Sequence, residues 1–367
     1  MPSHLPASPS EREIARGLKE LKLKDWFSGH SSDALVISGP AAVLDSLGLA
    51  TGLWTVCDLP DLASDALQNK MRSASVYILD PDDEPSTVMC LRESLGHDRV
   101  YGIISELAVA RTLGLDAAGV IADARRLPLP GVRYAVLSTA RSGSTWFCHL
   151  LQSTGLLGMP REHLRPPVVF LARHAERFGF SPPDWADLLI RTAASGGVFG
   201  TKIIDDFVDG LLPALSGRDI AALAGLAGTF RFIHFERRDK VAQAVSKFMA
   251  TRTHVWHLRE RADDAAYRQR AADIAYDGPA LKAIHDGLVA NEARYRVFLR
   301  GAGAPVLHLV YEDAVADPDA AVRRAARFLL GVVPDDLAVV HSSFHTMADD
   351  RNAAFAARLR SDYGLSA

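Results

Sequence analysis

The stretch Tyr134 to Trp146, YAVLSTARSGSTW, decides the fold. Tyr134 to Leu137 is a strand-like apolar run, Ser138 to Gly143 is a turn of small residues, and Ser144 to Thr154 has the length and periodicity of a helix closed by Gly155. Strand, small-residue loop and helix in that order build an anion cradle. Backbone N–H groups and a helix N-terminus converge there, and serine and threonine hydroxyls add donors. Ser138 and Gly143 keep the five-residue offset of a Walker-type loop, but Ser144 stands where the lysine that embraces a terminal triphosphate would stand. Arg141 supplies the charge instead, which argues against ATP and for a smaller phosphate or sulfonate group. A serine-rich turn ahead of a core helix is the plain alternative.

Working outward, Val198 to Ile204 is a second candidate strand. Phe230 to Phe235 is a third, running into Glu236, Arg237, Arg238 and Asp239 before a helix from Lys240 to Ala250. Leu307 to Tyr311 is a fourth, and Asp317 with Pro318 opens a helix that ends near Gly331. This alternation predicts an α/β fold whose mostly parallel sheet is flanked by helices on both faces. Loops at the carboxyl ends of such strands carry ligands. Arg237 or Arg238 at one strand end, with the Ser246 hydroxyl on the following helix, suits a lone phosphate monoester, so one ligand with two separated anionic groups would engage both loops.

Upstream, Arg126 to Gly131, with Pro128 and Pro130, reads as a linker and sets a boundary near residue 130. Before it, Ala34 to Ser38, Ser75 to Leu79 and Arg99 to Ile104 read as buried strands, and Ala41 to Leu49 and Glu106 to Leu113 as helices. A smaller N-terminal α/β domain, residues 1–130, is therefore expected ahead of 131–367. Ser10 and Glu13 form a capping-box pattern for a helix presenting Ile14, Leu18 and Leu21. The chain of 367 residues, 48% hydrophobic and 23% charged, has a globular composition, which excludes disordered and coiled-coil classes. A net charge of −3 offers no global field for nucleic acid or an acidic membrane, so any anion site is local. Cys57, Cys90 and Cys148 fit neither a disulfide framework nor a metal spacing, which points to a reducing compartment and no metal. Met1 to Lys24 lacks an apolar signal core, and Leu211 to Phe230 is interrupted by Arg218 and Asp219, so no transmembrane segment is expected and the location expected is cytoplasmic.

Five segments together carry a family resemblance: TARSGSTW (Thr139–Trp146), GMPREH (Gly158–His163), VFGTKI (Val198–Ile203), RRDKVAQAVS (Arg237–Ser246) and YEDAVADP (Tyr311–Pro318). In that order they make the chain resemble a sulfotransferase of the bacterial trehalose 2-sulfotransferase type, with a P-loop-like fold. The resemblance implies a donor, 3′-phosphoadenosine 5′-phosphosulfate. Its 5′ end would lie on Arg141, Ser142, Gly143, Ser144, Thr145 and Trp146, and its 3′-phosphate on Ser246 with Arg237 or Arg238. The Arg-x-Asp-Lys spacing favours Arg237, and the eight-residue offset to Ser246 favours Arg238.

The resemblance also assigns Glu162 as general base toward a carbohydrate or glycolipid hydroxyl. His163, which titrates nearer neutrality, is the rival base, and surface pairing of Glu162 with Arg161 or Arg165 is the ordinary alternative. Lys202, at a strand end, is a candidate for reaching the transferred group. Asp205 and Asp206 stand where related sequences carry apolar residues, which casts doubt on trehalose as the acceptor. Thr253, His254, Trp256 and His257 are candidates for lining a sugar or nucleotide pocket rather than binding metal. A catalytically silent nucleotide-binding or regulatory module, with the function in the N-terminal domain, is the competing class; beside an active transferase that domain is a candidate for regulating, selecting acceptors or joining two copies as a homodimer.

Overall fold

The structure is a computed structural model that describes residues 9–28, 35–50, 52, 54–114, 126–164, 166–173, 181–256, 261–340 and 350–366. It has the α/β architecture of parallel sheets flanked by helices, with a smaller N-terminal α/β part. The chain divides into two compact units. One gathers Met1–Leu129 with Leu164–Ala193 and Gly210–Leu223, and the other gathers Pro130–His163, Ala194–Asp209 and Ala224–Ala367.

The first unit holds β1 (Leu35–Ser38), β2 (Thr55–Cys57), β3 (Ser75–Ile78) and β4 (Val100–Gly102), all parallel in the order β2-β1-β3-β4. Its core includes Val36, Val76, Ile78, Val88 and Leu95. The strand expected through Ile104 stops at Gly102, because the buried Glu84 carboxylate accepts the N–H groups of Ile104 and Ser105 and draws Ile103–Ala108 into a π-turn. The first helix, α1 (Pro9–Leu18), starts ahead of the Ser10 cap that the sequence suggests. Ala34 lies outside the described residues.

The second unit is built on β5 (Val132–Ser138), β6 (Val198–Ile204), β7 (Arg231–Glu236) and β8 (Val306–Val310), again all parallel, in the order β6-β5-β7-β8. Every residue of β5 from Tyr134 to Ser138 is buried, as a central strand covered on both faces requires. Tyr134, buried whole, donates its hydroxyl to the Leu157 carbonyl at 2.7 Å. Five helices of this unit matter for the site: α2 (Ser144–Ser153), α3 (Lys240–Thr253), α4 (Gly278–Gly301), α5 (Pro318–Leu330) and α6 (Asp350–Tyr363). Asp317 caps α5 by accepting from the Ala320 N–H, with Pro318 in the first turn and Gly331 left-handed at the far end. Asp239 caps α3 in the same way and also pairs with Arg360 of α6 at 2.6 Å. Helix α4 was not foreseen, although Asp277 capping the Ala280 N–H ahead of Pro279 is a start signal that the sequence carries.

No described helix is long and apolar enough to cross a membrane.

Candidate active site

The loop between β5 and α2 turns on two left-handed residues, Arg141 (φ 64°) and Gly143 (φ 88°). A Cβ at Gly143 would run into the ring of Tyr311, the residue that follows β8, so glycine is required there twice over, by φ and by space. Gly143 gives the first turn of α2 no side-chain cap, and a helix start of that kind presents backbone N–H groups to an anion. Ser142 is wholly buried, and its hydroxyl has no hydrogen-bond partner.

Two guanidinium groups meet at this loop. Arg141 Nε donates to Ser246 Oγ at 3.1 Å and its Nη1 to the Trp256 carbonyl, which ties the loop to α3 and the turn after it. Arg237, directly after β7, donates to the Arg141 carbonyl at 3.4 Å and lies 5.1 Å from the centroid of the Tyr311 ring, and its buried Nε has no partner. Burial and the Arg237 charge lower the Arg141 guanidinium to about 10, so it remains charged at neutral pH but at a cost that an anion would relieve.

Arg238 points elsewhere. It is exposed and bound to Asp313 at 3.0 Å, while its backbone N–H and that of Asp239 donate to Glu312. Glu312 thus fixes the basic turn, leaving Arg237 as the arginine that faces the loop. Trp146 lies edge-on to Tyr311 with ring centroids 6.2 Å apart.

Glu162 reaches the site through a turn that only glycine permits. At Gly158 (φ 71°) a Cβ would lie 2.9 Å from the Val198 carbonyl, so the chain passes tightly over the start of β6. The turn then runs along β6: Arg161 bridges Thr201, and its carbonyl accepts the Lys202 N–H at 2.8 Å. Lys202, 2% exposed, spans the gap between the two motifs. Its ammonium lies 2.5 Å from Glu162 Oε1 and donates to Thr145 Oγ1 at 2.6 Å. Carboxylate, ammonium and the first turn of α2 therefore form one connected chain, with Glu162 paired to Lys202.

His163 turns away from that chain. Thr201 gives its one hydroxyl proton to the Arg161 carbonyl, so it receives the proton of His163 Nδ1, 3.0 Å away. The ring stacks on Phe199, and burial with the Arg161 charge lowers its pKa to about 4, which leaves it neutral at pH 7.

Beneath the loop lies a polar layer that the motifs do not announce. Asp205 Oδ1 accepts the Ala140 N–H at 3.0 Å, and its other oxygen accepts from Asn291 Nδ2 at 2.6 Å. Gln243 Nε2 donates to both the Ala140 carbonyl and Thr139 Oγ1. Glu292 meets Thr139, Lys240 and His234. Asp205 is thus committed to the loop, and Asp206 pairs with Lys247 at 2.8 Å, which gives both carboxylates a role other than altering an acceptor pocket.

Among the described residues, His234, Glu236 and Glu292 could together hold a metal ion. Protein cations already serve both carboxylates: Lys240 lies 3.1 Å from Glu292 and Arg296 2.6 Å from Glu236. Of the aromatic and imidazole residues after α3, His254 is its left-handed C-cap, Thr253 bonds back to Met249, Trp256 is exposed, and His257 lies outside the described residues.

The sequence profile of one family, Stf0 sulphotransferase, matches residues 133–362. A sulfotransferase from Alicyclobacillus acidocaldarius, known from its crystal structure, is similar at 15% identity and a TM-score of 0.36, covering 64% of this chain and 97% of its own. No curated protein matches.

Proposed function

Because the chain belongs to the Stf0 sulphotransferase family, we propose that it moves a sulfuryl group from 3′-phosphoadenosine 5′-phosphosulfate to a hydroxyl of a carbohydrate or glycolipid. The observation that carries this reading is the ammonium of Lys202, bonded at once to Glu162 and to Thr145 of the anion loop. It links a proton acceptor to the spot where a sulfonate would sit, as in-line transfer to an alcohol requires.

The donor supplies the activated sulfur–oxygen bond. The N–H groups of Arg141 to Thr145, with the Ser142 hydroxyl, hold its 5′ end, and Trp146 helps shape the floor. Ser246 and Arg237 take the 3′-phosphate, which the partnerless Nε of Arg237 favours over the Asp313-bound Arg238. Glu162 takes the proton of the attacking hydroxyl as the new oxygen–sulfur bond forms and the bond to the nucleotide phosphate breaks. Lys202 balances the negative charge that collects on the departing oxygens. His163, neutral and bound to Thr201, orients the turn that carries Glu162. No step calls for a metal. In this reading residues 131–367 form the transfer domain, and residues 1–130 regulate it, select the acceptor or join two copies.

The test is transfer of labelled sulfuryl from the donor to a panel of sugars and glycolipids, with wild type beside Glu162→Gln. Wild type is expected to label a hydroxyl, and Glu162→Gln to keep donor affinity while losing at least about 100-fold in rate. A variant as fast as wild type would move the base elsewhere. Tight donor binding with no transfer to any acceptor would favour a silent nucleotide-binding module.

A further inference from the structure

We propose that Asp205 and Gln243 are positioning residues that clamp Ala140 and so hold the next residue, Arg141, in its left-handed shape. That the loop's ligand is a sulfonate donor rests on the transferase reading above. The clamp itself rests on the geometry.

Both backbone groups of Ala140 are bound by side chains. Its N–H donates to Asp205 Oδ1 at 3.0 Å, and its carbonyl accepts from Gln243 Nε2 at 2.7 Å. Each peptide plane flanking Ala140 is therefore fixed. In a trans peptide the N–H points opposite to the C=O, so drawing the Ala140 carbonyl toward Gln243 turns the Arg141 N–H the other way. The left-handed conformation of a non-glycine residue is strained and persists where its surroundings over-determine it. Arg141, at φ 64°, is such a residue.

The clamp is itself braced. Asp205 is 3% exposed and held by Asn291, and Gln243 is fully buried and donates a second time, to Thr139. Thr139 in turn faces Glu292 at 3.3 Å, and Lys240 balances Glu292. Asn291 and Glu292 are neighbours on α4, so a single helix backs both halves of the clamp. Neither Asp205 nor Gln243 belongs to the anion-binding set proposed above, and their hold on Arg141 passes through the backbone of one alanine.

The test compares wild type with Asp205→Leu, Gln243→Met and the conservative Asp205→Asn, which keeps an acceptor oxygen. Two quantities are measured on the full-length protein: amide hydrogen exchange across residues 139–145 against the β7 peptide, and calorimetric affinity for 3′-phosphoadenosine 5′-phosphate. We expect Asp205→Leu and Gln243→Met to exchange at least tenfold faster in the loop and no faster in β7. Affinity should weaken about 10- to 100-fold, the loss that removing the partners behind metal ligands brings. Asp205→Asn keeps the acceptor for Ala140 but sets an amide N–H against Asn291 Nδ2, so it should fall between wild type and Asp205→Leu in both. If Asp205→Leu does not fold, Gln243→Met and the milder Asn291→Ala carry the comparison. Folded variants whose loop exchanges like wild type would overturn the clamp, whatever the affinity. A loop that loosens as expected in a protein whose wild type never binds the nucleotide would uphold the clamp and refute the donor.

Discussion

Two arginines adjacent in sequence have opposite fates. Arg237 turns toward the loop and stacks against Tyr311, whereas Arg238 is exposed and bound to Asp313. We expect Arg237→Ala to weaken binding of 3′-phosphoadenosine 5′-phosphate at least tenfold and Arg238→Ala to change it by less than about threefold, since exposed ion pairs contribute little. Calorimetry on the two variants checks this, and the reverse order would exchange their roles. The sequence left the pair undecided because both spacings are sensible along the chain. What separates them is Glu312, which accepts both N–H groups of the turn from 74 and 73 residues away.

His163 makes a second prediction at this scale. Its pKa is lowered from 6.5 to about 4, chiefly by burial and then by Arg161, so the folded protein holds it neutral. The stability that this contributes is complete above pH 6.5 and is lost as pH falls toward 4. His163→Gln should flatten the fall in urea midpoint between those values. An unchanged slope would mean that the ring titrates normally and would restore it as a candidate base.

At the scale of elements, the strand–loop–helix unit was legible because its signals are local: an apolar run, a small-residue turn and a helical period within twenty-odd residues. Strand β6 was legible to the residue for the same reason. The strand expected at Arg99 to Ile104 was cut short by a carboxylate on another element, Glu84, which no window around residue 103 contains. Helix α4 lies outside all five family segments, and its Asn291 braces Asp205 across 86 residues of chain while Glu292 meets Thr139 across 153. Contacts of that range are set by sheet order, and periodicity does not report them. The glycine of the loop provides the element's own test. Gly143→Ala places a side chain at φ 88° and against Tyr311, so we expect a loss of about 1–2 kcal/mol from the backbone alone and no nucleotide binding. A urea denaturation matching wild type, with affinity intact, would show that the loop adopts another shape.

For the whole molecule, charge and chain path matter most. The net charge of −3 directs no polyanion to the protein, yet Arg141 and Arg237 concentrate positive charge at one loop. The unit around β1–β4 also draws on Leu164–Ala193 and Gly210–Leu223, including the buried Trp185, Leu188 and Leu189. A chain begun at residue 131 would therefore keep β5–β8 while stripping those helices of partners. We expect it to bind a hydrophobic dye and to melt without cooperativity. A monodisperse fragment melting like the whole would show that residues 131–367 fold without the first 130.

What the Arg141–Thr145 loop binds decides whether this protein takes a sulfonate donor. Calorimetric titration of the intact protein with 3′-phosphoadenosine 5′-phosphate, beside ATP and beside Arg141→Ala, decides it. Tight binding of the first, weak or no binding of ATP, and loss of binding in a folded Arg141→Ala are expected. Preference for ATP, or full affinity without Arg141, would contradict a sulfonate donor.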